Sequence, residues 1–234
     1  MLKLLGDDPV LTEKRLKIIT GHYGSGKTEF AINYALNIAK ESSSKIAIVD
    51  LDIVNPYFRA REAEHILHSK GIRVIGASVK GASLDIPAVS SEVLTIFHDK
   101  SYIAVLDVGG DQAGARILGR YHDNLAVAEY DMFFVLNANR PLTNTPQAAI
   151  RHMRAIEEGS RQKITALVNN THLCESTTID DVFRGQELSE NVSDQTGLPI
   201  RYTVVEEKLA EKIVGKIKNE ILPINIYMKK PWED

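Results

Sequence analysis

The segment from Gly21 to Thr28 has the residue types and spacing needed to hold a phosphate group. It reads Gly-His-Tyr-Gly-Ser-Gly-Lys-Thr and fits the pattern G-x-x-x-x-G-K-(S/T) in full. Glycines allow successive backbone N–H groups to approach phosphate oxygens closely, and the helix that follows adds its positive N-terminal end. The pattern therefore predicts a nucleotide-phosphate loop formed by Gly21, His22, Tyr23, Gly24, Ser25, Gly26, Lys27 and Thr28, with Glu29, directly after it, as a further nucleotide-binding residue.

Two side chains of this loop have distinct expected roles. Lys27 is a compact charge that could reach the β- and γ-phosphates, and we expect it to act in catalysis. The hydroxyl of Thr28 could ligate Mg²⁺. A glycine-rich turn with a chance Gly-Lys-Thr is the alternative, which the apolar run before the loop and the helical pattern after it disfavour.

Acidic residues at two strand ends could complete such a site. Asp107 closes the apolar run 103–106, a pattern in which the carboxylate holds Mg²⁺ directly or through water. Asp50 and Asp52 end another apolar run, and parallel strands present their carboxyl ends at the edge where ligands bind. We expect Thr28, Asp52 and Asp107 to hold Mg²⁺, and Asp52 to lie near the attacking water. A helix cap or loop acid is the alternative for both aspartates.

The residues after Asp107 could respond to the terminal phosphate. Gly110 could donate its backbone N–H to a γ-phosphate. Asp111 could position the attacking water and is the third candidate catalytic residue, besides Lys27 and Asp52. The alternative for Asp111 is the N-cap of the next helix.

Asn169 and Asn170 are the candidates for contact with the base. A carboxamide can pair with the N6 and N7 edge of adenine, whereas GTP-binding proteins read guanine with an acid in an Asn/Thr-Lys-x-Asp loop. Here the corresponding residues are Asn169-Asn170-Thr171-His172, without that acid. The sequence therefore favours ATP and ADP, with a capping turn as the alternative role of the asparagine pair.

Short apolar runs alternate with amphipathic stretches along the chain. We predict strands at 16–20, 45–50, 72–76, 102–107, 132–137, 163–169 and 200–205. The clearest helical patterns cover 27–40, 59–70, 145–158 and 207–222. This alternation predicts an α/β protein with a mostly parallel sheet of about seven strands and a single domain over 1–234.

The phosphate loop, the 50–52 strand end and the 107–110 segment together resemble the deviant-Walker ATPases. These are the CobQ/CobB/MinD/ParA nucleotide-binding proteins of the SIMIBI class, and the resemblance covers roughly residues 15 to 220. It implies a three-layer P-loop fold with a twisted sheet covered by helices on both faces. It also implies ATP, Mg²⁺, a nucleotide-dependent homodimer, and switch I, Walker B and switch II places for Asp52, Asp107 and Gly110. His22 stands where partitioning-type members carry a signature lysine.

Composition and charge exclude several other classes of protein. The 234 residues are 44% hydrophobic and 25% charged, with a net charge of −3, so no global field favours nucleic acid. One cysteine, Cys174, excludes an internal disulfide framework, and no apolar run approaches the length of a membrane span. We expect a cytoplasmic protein that binds neither membrane nor nucleic acid directly.

The sequence favours an ATP-binding, slow Mg²⁺-dependent ATPase that acts as a switch on a protein partner. One alternative is a small-molecule kinase or ATP-dependent ligase of the dethiobiotin synthetase/CobB type. Its loops at 55–61 and 139–143 would then bind an acceptor. Another alternative is a regulatory module that holds ATP without hydrolysing it.

Overall fold

The computed structural model describes residues 14–52, 63–76 and 91–228. Within these ranges eight parallel strands form one sheet in the order β3-β2-β4-β1-β5-β6-β7-β8. The strands are β1 Leu16–Thr20, β2 Lys45–Leu51, β3 Arg73–Gly76, β4 Tyr102–Val108, β5 Tyr130–Leu136, β6 Ala166–Asn169, β7 Ile200–Glu206 and β8 Glu220–Ile224.

Eight helices connect or follow these strands in the same described ranges. They are α1 Lys27–Glu41, α2 Glu64–Ser69, α3 Ser91–His98, α4 Gln112–Gly119, α5 His122–Ala128, α6 Pro146–Ser160, α7 Ile179–Thr196 and α8 Glu207–Ile213. None of the helices in the part of the chain described here is both long and apolar enough to cross a membrane.

The sheet is buried on both faces, which explains why its strands are apolar almost throughout. Alternate residues of one strand enter different cores: Leu106 packs with α3 to α7 on one face, and Val105 packs with α1 and α2 on the other. This is the three-layer arrangement expected from the resemblance, with helices covering both faces of the sheet.

The strand order brings the candidate residues to one edge of the sheet. Strand β1 lies between β4 and β5, with Ile19 paired to Asp107 on one side and to Phe133 on the other. Because all three strands run in the same direction, the loops that follow them meet at the carboxyl edge. The phosphate loop thus lies between the loop that follows Asp107 and the loop that follows β5.

The described part of the sheet has eight strands where about seven were expected, and the final helix predicted over 207–222 is wrong. Helix α8 ends at Ile213, because Val214 is extended and Gly215 has a φ of +75°. Strand β8 then pairs with β7 and buries Leu222 and Ile224 against α1. The apolar residues at 209, 213, 217 and 221 have a helical spacing, and all four pack in one small cluster with residues of α7, although the helix itself ends at 213.

The other helical predictions have mixed outcomes. The helices predicted at 27–40 and 145–158 are confirmed as α1 and α6, the latter capped by Thr145, whose side chain accepts from the N–H of Ala148. Of the predicted helix 59–70, the described part forms α2, and residues 59–62 lie outside the described ranges. Helix α7 was not among the predicted helices, although Thr178 and Asp181 form a capping box at its start.

Candidate active site

The phosphate loop joins the buried strand β1 to the start of α1. Gly24 and Gly26 have φ values of +74° and +78°, a left-handed conformation that favours glycine. Gly21 lies so close to β5 that an added Cβ would be 2.5 Å from the carbonyl oxygen of Val135. Ser25 is buried in the loop, and the ring of Tyr23 is 56% exposed at its tip.

Lys27 lies inside the loop against the acidic strand ends. Its Nζ is 2.9 Å from Oδ2 of Asp52, and both side chains are buried. Burial lowers the pKa of Lys27, but the carboxylates of Asp107 and Asp52 outweigh it and hold that pKa above its usual value. Asp52 is itself fixed, since its N–H donates to Oδ1 of Asp50 at 3.1 Å. A charged ammonium group is therefore held where the motif expects a phosphate.

Thr28 and Asp107 meet directly beside this ion pair. The hydroxyl of Thr28 donates to Oδ2 of Asp107 at 2.6 Å, whereas Oδ1 of Asp107 is buried with no hydrogen-bond partner among the described residues. Burial raises the pKa of Asp107 to about 7, against the opposing pull of Lys27. Thr28, Asp52 and Asp107 thus supply hard oxygen atoms, one of them an orphaned acceptor, which fits a Mg²⁺ ion that takes its other ligands from phosphates and water.

Gly110 packs against the phosphate loop, and its contact with a γ-phosphate stays a prediction. An added Cβ on Gly110 would be 1.9 Å from the carbonyl oxygen of Gly21, a distance that only a moved backbone could relieve. The carbonyl oxygen of Gly110 accepts a 2.6 Å hydrogen bond from Nε2 of His152 on α6. The segment after Asp107 is therefore in contact both with the loop and with α6.

Asp111 caps the helix that follows. Its Oδ1 accepts from the N–H of Gly114 at 2.6 Å, which is the N-cap role that the sequence left open. The water-positioning role of Asp111 remains a prediction.

His22 turns its ring toward α6. Its Nδ1 lies 2.8 Å from the carbonyl oxygen of Tyr23, and its ring meets that of His152 edge-on, with centroids 5.1 Å apart. Burial lowers the pKa of His152. His22, which occupies the signature-lysine position, thus contacts His152 of the same chain.

The loop after β5 holds the phosphate loop from its outer side, a contact that sequence reasoning missed. Nε of Arg140, in the 139–143 loop considered for an acceptor, donates to the carbonyl oxygen of Gly24 at 2.7 Å, although the two residues are 116 positions apart. Nδ2 of the buried Asn137 lies within 3.3 Å of the same oxygen and within 3.2 Å of the carbonyl oxygen of His172. The signal for Asn137 was available, since it follows a buried strand at the same sheet edge as Asp107.

A pocket opens beside Gly26, between the loops that follow β6, β7 and β8. Asn170, His172, Val205, Glu206 and Ile224 are among its lining residues. Because it adjoins the start of α1, it is in the right place for the nucleoside part of a ligand whose phosphates lie in the loop.

The two asparagines predicted to contact the base have different surroundings. Asn170 lines the pocket and its Nδ2 donates to the carbonyl oxygen of Ser25 at 2.8 Å. Asn169 is fully buried behind it: its Nδ2 donates to the carbonyl oxygen of Val182, and its Oδ1 accepts from the N–H of Thr171. The structure thus brings Asn170 to the pocket and directs Asn169 toward α7.

Glu29 borders the pocket and fastens the end of the described chain. Its two carboxylate oxygens accept the backbone N–H groups of Tyr227 at 2.9 Å and Met228 at 3.1 Å. Glu29 thus lies beside Gly26 in the pocket wall, and its carboxylate accepts hydrogen bonds from the segment after β8. Its contact with nucleotide stays a prediction.

No protein-family model matches the chain, and no curated protein matches it significantly. The signal recognition particle receptor FtsY from Elizabethkingia anophelis superposes with a TM-score of 0.52 at 18% identity, over 92% of this chain and 63% of that one. Chloroplast FtsY from Physcomitrella patens gives 0.57 at 17% identity, over 87% and 61%. FlhF complexed with GTP and Mg²⁺ gives 0.51 at 12% identity, over 80% and 64%.

These similarities concern the fold. The chain spans 61–64% of the length of these three structures, and its identity to each is below one fifth. The chain therefore shares the fold of these structures, the three-layer α/β arrangement that the sequence predicted, and its class and subfamily remain predictions.

Proposed function

We propose that the protein binds ATP with Mg²⁺, hydrolyses it slowly and acts as a nucleotide-dependent switch. The observation that carries this proposal is the convergence of Lys27 and Thr28 with Asp52 and Asp107, at 2.9 Å and 2.6 Å respectively. A glycine-rich turn without function would not need to bury a lysine and two carboxylates together, because charges are costly to remove from water.

In the proposed reaction a water attacks the γ-phosphorus in line with the leaving oxygen. Lys27 and the N–H groups of the loop would stabilise the charge that develops on the phosphate oxygens. Thr28 and Asp107 would hold Mg²⁺, which supplies further positive charge there when bound. Asp52 or Asp111 would position the water, and Gly110 would donate its N–H to the γ-phosphate.

The switch would act through the segment that follows Asp107. Gly110 abuts the carbonyl oxygen of Gly21, so a γ-phosphate that takes the N–H of Gly110 would act on a segment already packed against the loop and would displace it. A displacement of this segment would pass to α4, and through His152 to α6. A homodimer formed around ATP, with a partner protein that senses it, is the proposed consequence.

ATP is proposed over GTP because the residues after β6 carry no acid at the guanine-reading position. GTP is nevertheless the necessary competitor in any test, since the FlhF structure was obtained with GTP and Mg²⁺.

The test is phosphate release from ATP and from GTP by the purified full chain with Mg²⁺. Lys27→Ala and Asp52→Ala serve as comparisons, and particle size is measured in ATP and in ADP. Slow release from ATP that both substitutions abolish, with an ATP-dependent dimer, is the expected result. Tight ATP binding with neither release nor dimer would refute the switch and direct the search to acceptor molecules, as for a kinase or ligase.

A further inference from the structure

Two polar atoms in the wall of the pocket are buried without a hydrogen-bond partner in the described ranges. They are Nε2 of His172, in the loop after β6, and Oε1 of Glu206, at the end of β7. Buried polar groups are nearly always paired in folded proteins, so two orphans lining one pocket point to a ligand that pairs with both.

The hydrogen bonds of His172 determine which kind of group it offers. The N–H of Cys174 donates to Nδ1 of His172 at 3.3 Å, so Nδ1 is the acceptor and Nε2 carries the proton. Burial lowers the pKa of His172 to about 4, and Arg140 adds to the effect, so the ring is neutral near pH 7. His172 therefore presents a single N–H donor.

The backbone of His172 is anchored by two further hydrogen bonds, while the contact of its Nδ1 with the N–H of Cys174 orients the ring. The carbonyl oxygen of His172 accepts from Nδ2 of Asn137 at 3.2 Å and from Nδ2 of Asn139 at 3.3 Å. A donor fixed before the ligand arrives costs little entropy on binding.

Glu206 offers the complementary group. Its Oε2 is paired with Nζ of Lys208 at 2.5 Å, which leaves Oε1 as the one carboxylate oxygen to accept a further hydrogen bond. Val204, Val205, Ile224 and Ile226 form apolar parts of the same pocket wall. An apolar surrounding of this kind suits a flat aromatic base and strengthens the polar contacts inside it.

We infer that His172 and Glu206 are the residues that select the base, and that the base is adenine. The exocyclic amine of adenine would donate to Oε1 of Glu206, and a ring nitrogen of adenine would accept from Nε2–H of His172. This inference rests on the nucleotide binding proposed above and names the residues that read the base.

A count of donors favours adenine over guanine. Adenine pairs its amine with the single free oxygen of Glu206 and a ring nitrogen with His172. Guanine carries its ring N–H and its amine on one edge, three N–H donors in all, and Glu206 offers them one free oxygen. Because Oε2 of Glu206 is paired with Lys208, the carboxylate is not free to present both oxygens to the ring N–H and the amine of guanine, the bidentate contact by which an acid reads that base.

The experiment removes the contact between Glu206 and the amine of adenine in two ways, by changing the ligand and by changing the protein. Calorimetry with the full chain and Mg²⁺ would compare ATP with purine riboside 5′-triphosphate, which lacks the amine. We expect ATP to bind about tenfold more tightly to the unsubstituted protein, the typical effect of one hydrogen bond to a charged group. In Glu206→Ala the two ligands should bind within about twofold of each other. Glu207→Ala, at an exposed glutamate beside it, is the matched control and should keep the tenfold difference.

A second variant tests His172 in the same way. In 1-deaza-ATP and 7-deaza-ATP one ring nitrogen is replaced by CH. The analogue that lacks the nitrogen contacted by His172 should bind the unsubstituted protein more weakly than ATP does. His172→Phe keeps an aromatic ring but has no donor, so that penalty should disappear in this variant.

The outcomes separate this inference from the proposed function. If ATP binds but its amine contributes less than twofold, or if either penalty survives its substitution, the base-reading roles are overturned while ATP binding stands. Tighter binding of GTP than ATP would overturn the choice of adenine, with triphosphate binding retained. No binding of any triphosphate would remove both proposals. The comparison of analogues on the unsubstituted protein decides the question even if a variant fails to fold.

Discussion

The hydroxyl of Thr28 donates a 2.6 Å hydrogen bond to Oδ2 of Asp107 and so joins the start of α1 to the end of β4. The pairing of Ile19 with Asp107 across β1 and β4 sets the relative height of these two elements. The contact between two residues 79 positions apart is therefore a consequence of strand register. It places an alcohol and a carboxylate side by side at the mouth of the phosphate loop.

Substitution of Thr28 should separate the role of its hydroxyl from the role of its size. Thr28→Ala removes a proposed Mg²⁺ ligand, and we expect the affinity for ATP in Mg²⁺ to fall about tenfold or more. Thr28→Ser keeps the hydroxyl and should remain within about threefold of the unsubstituted protein. Titration calorimetry with Mg²⁺ and with excess chelator checks both; equal loss in the two variants would contradict the proposed ligand role.

The contact of Gly110 with the phosphate loop leads to a second prediction. In Gly110→Ala the added Cβ would be 1.9 Å from the carbonyl oxygen of Gly21, so the backbone must shift. Overpacking of this kind typically lowers the free energy of unfolding by about 1–3 kcal/mol. The shift should also weaken ATP binding, because it moves the loop.

Gly119→Ala is the matched control for this substitution. Gly119 ends α4, and its nearest neighbour to an added Cβ is 3.8 Å away. Since alanine is favoured over glycine in helices, this variant should be neutral or more stable by up to about 1 kcal/mol. Urea unfolding of the two variants measures the difference, and equal stability would show that Gly110 and Gly21 are not in close contact.

The sequence allowed the phosphate loop and the sheet around it to be predicted because both follow from local rules. The motif at 21–28 determines its own backbone, and the strand at 16–20 is confirmed with its predicted bounds. The end of the chain was different, since the spacing of Leu209, Ile213, Ile217 and Ile221 fits a helix as well as the turn and strand observed. Only the pairing of β8 with β7 decides between them, and that contact is not local.

The residues that sequence reasoning missed act over long distances in the chain. Asn137 holds the carbonyl oxygens of Gly24 and His172, which are 113 and 35 positions away. The candidate site was thus predictable where a motif or a strand end marked it. The proposed role of His172 was not predictable, because it depends on burial and on partners from another loop.

The capping role of Asp111 can be tested separately from the role of its charge. Asp111→Asn keeps an oxygen acceptor for the N–H of Gly114, so we expect little change in stability, whereas Asp111→Ala should cost about 1 kcal/mol of unfolding free energy. Thermal unfolding checks the cap. The rate of phosphate release by the Asn variant then shows which residue positions the attacking water. A marked loss of rate with stability retained indicates Asp111, and an unchanged rate indicates Asp52.

The buried ring of His172 should make stability depend on pH in a defined window. Its pKa is about 4 in the folded protein, where Arg140 and Glu206 are the charged groups acting on it, and near 6.5 in the unfolded chain. Between these values the unfolded state binds more protons, so the free energy of unfolding must fall as the pH drops from about 6.5 to about 4. The loss attributable to this ring over that range is about 3 kcal/mol.

The measurement compares urea unfolding of the unsubstituted protein and of His172→Phe across this range. All other titratable groups are shared, so the difference between the two curves isolates the ring. The stability of the unsubstituted protein relative to the variant should decline from pH 6.5 to pH 4 and stay level from pH 7 to pH 8. A constant difference across the whole range would mean that His172 is solvated in the folded protein and cannot offer a fixed, neutral N–H donor to a base.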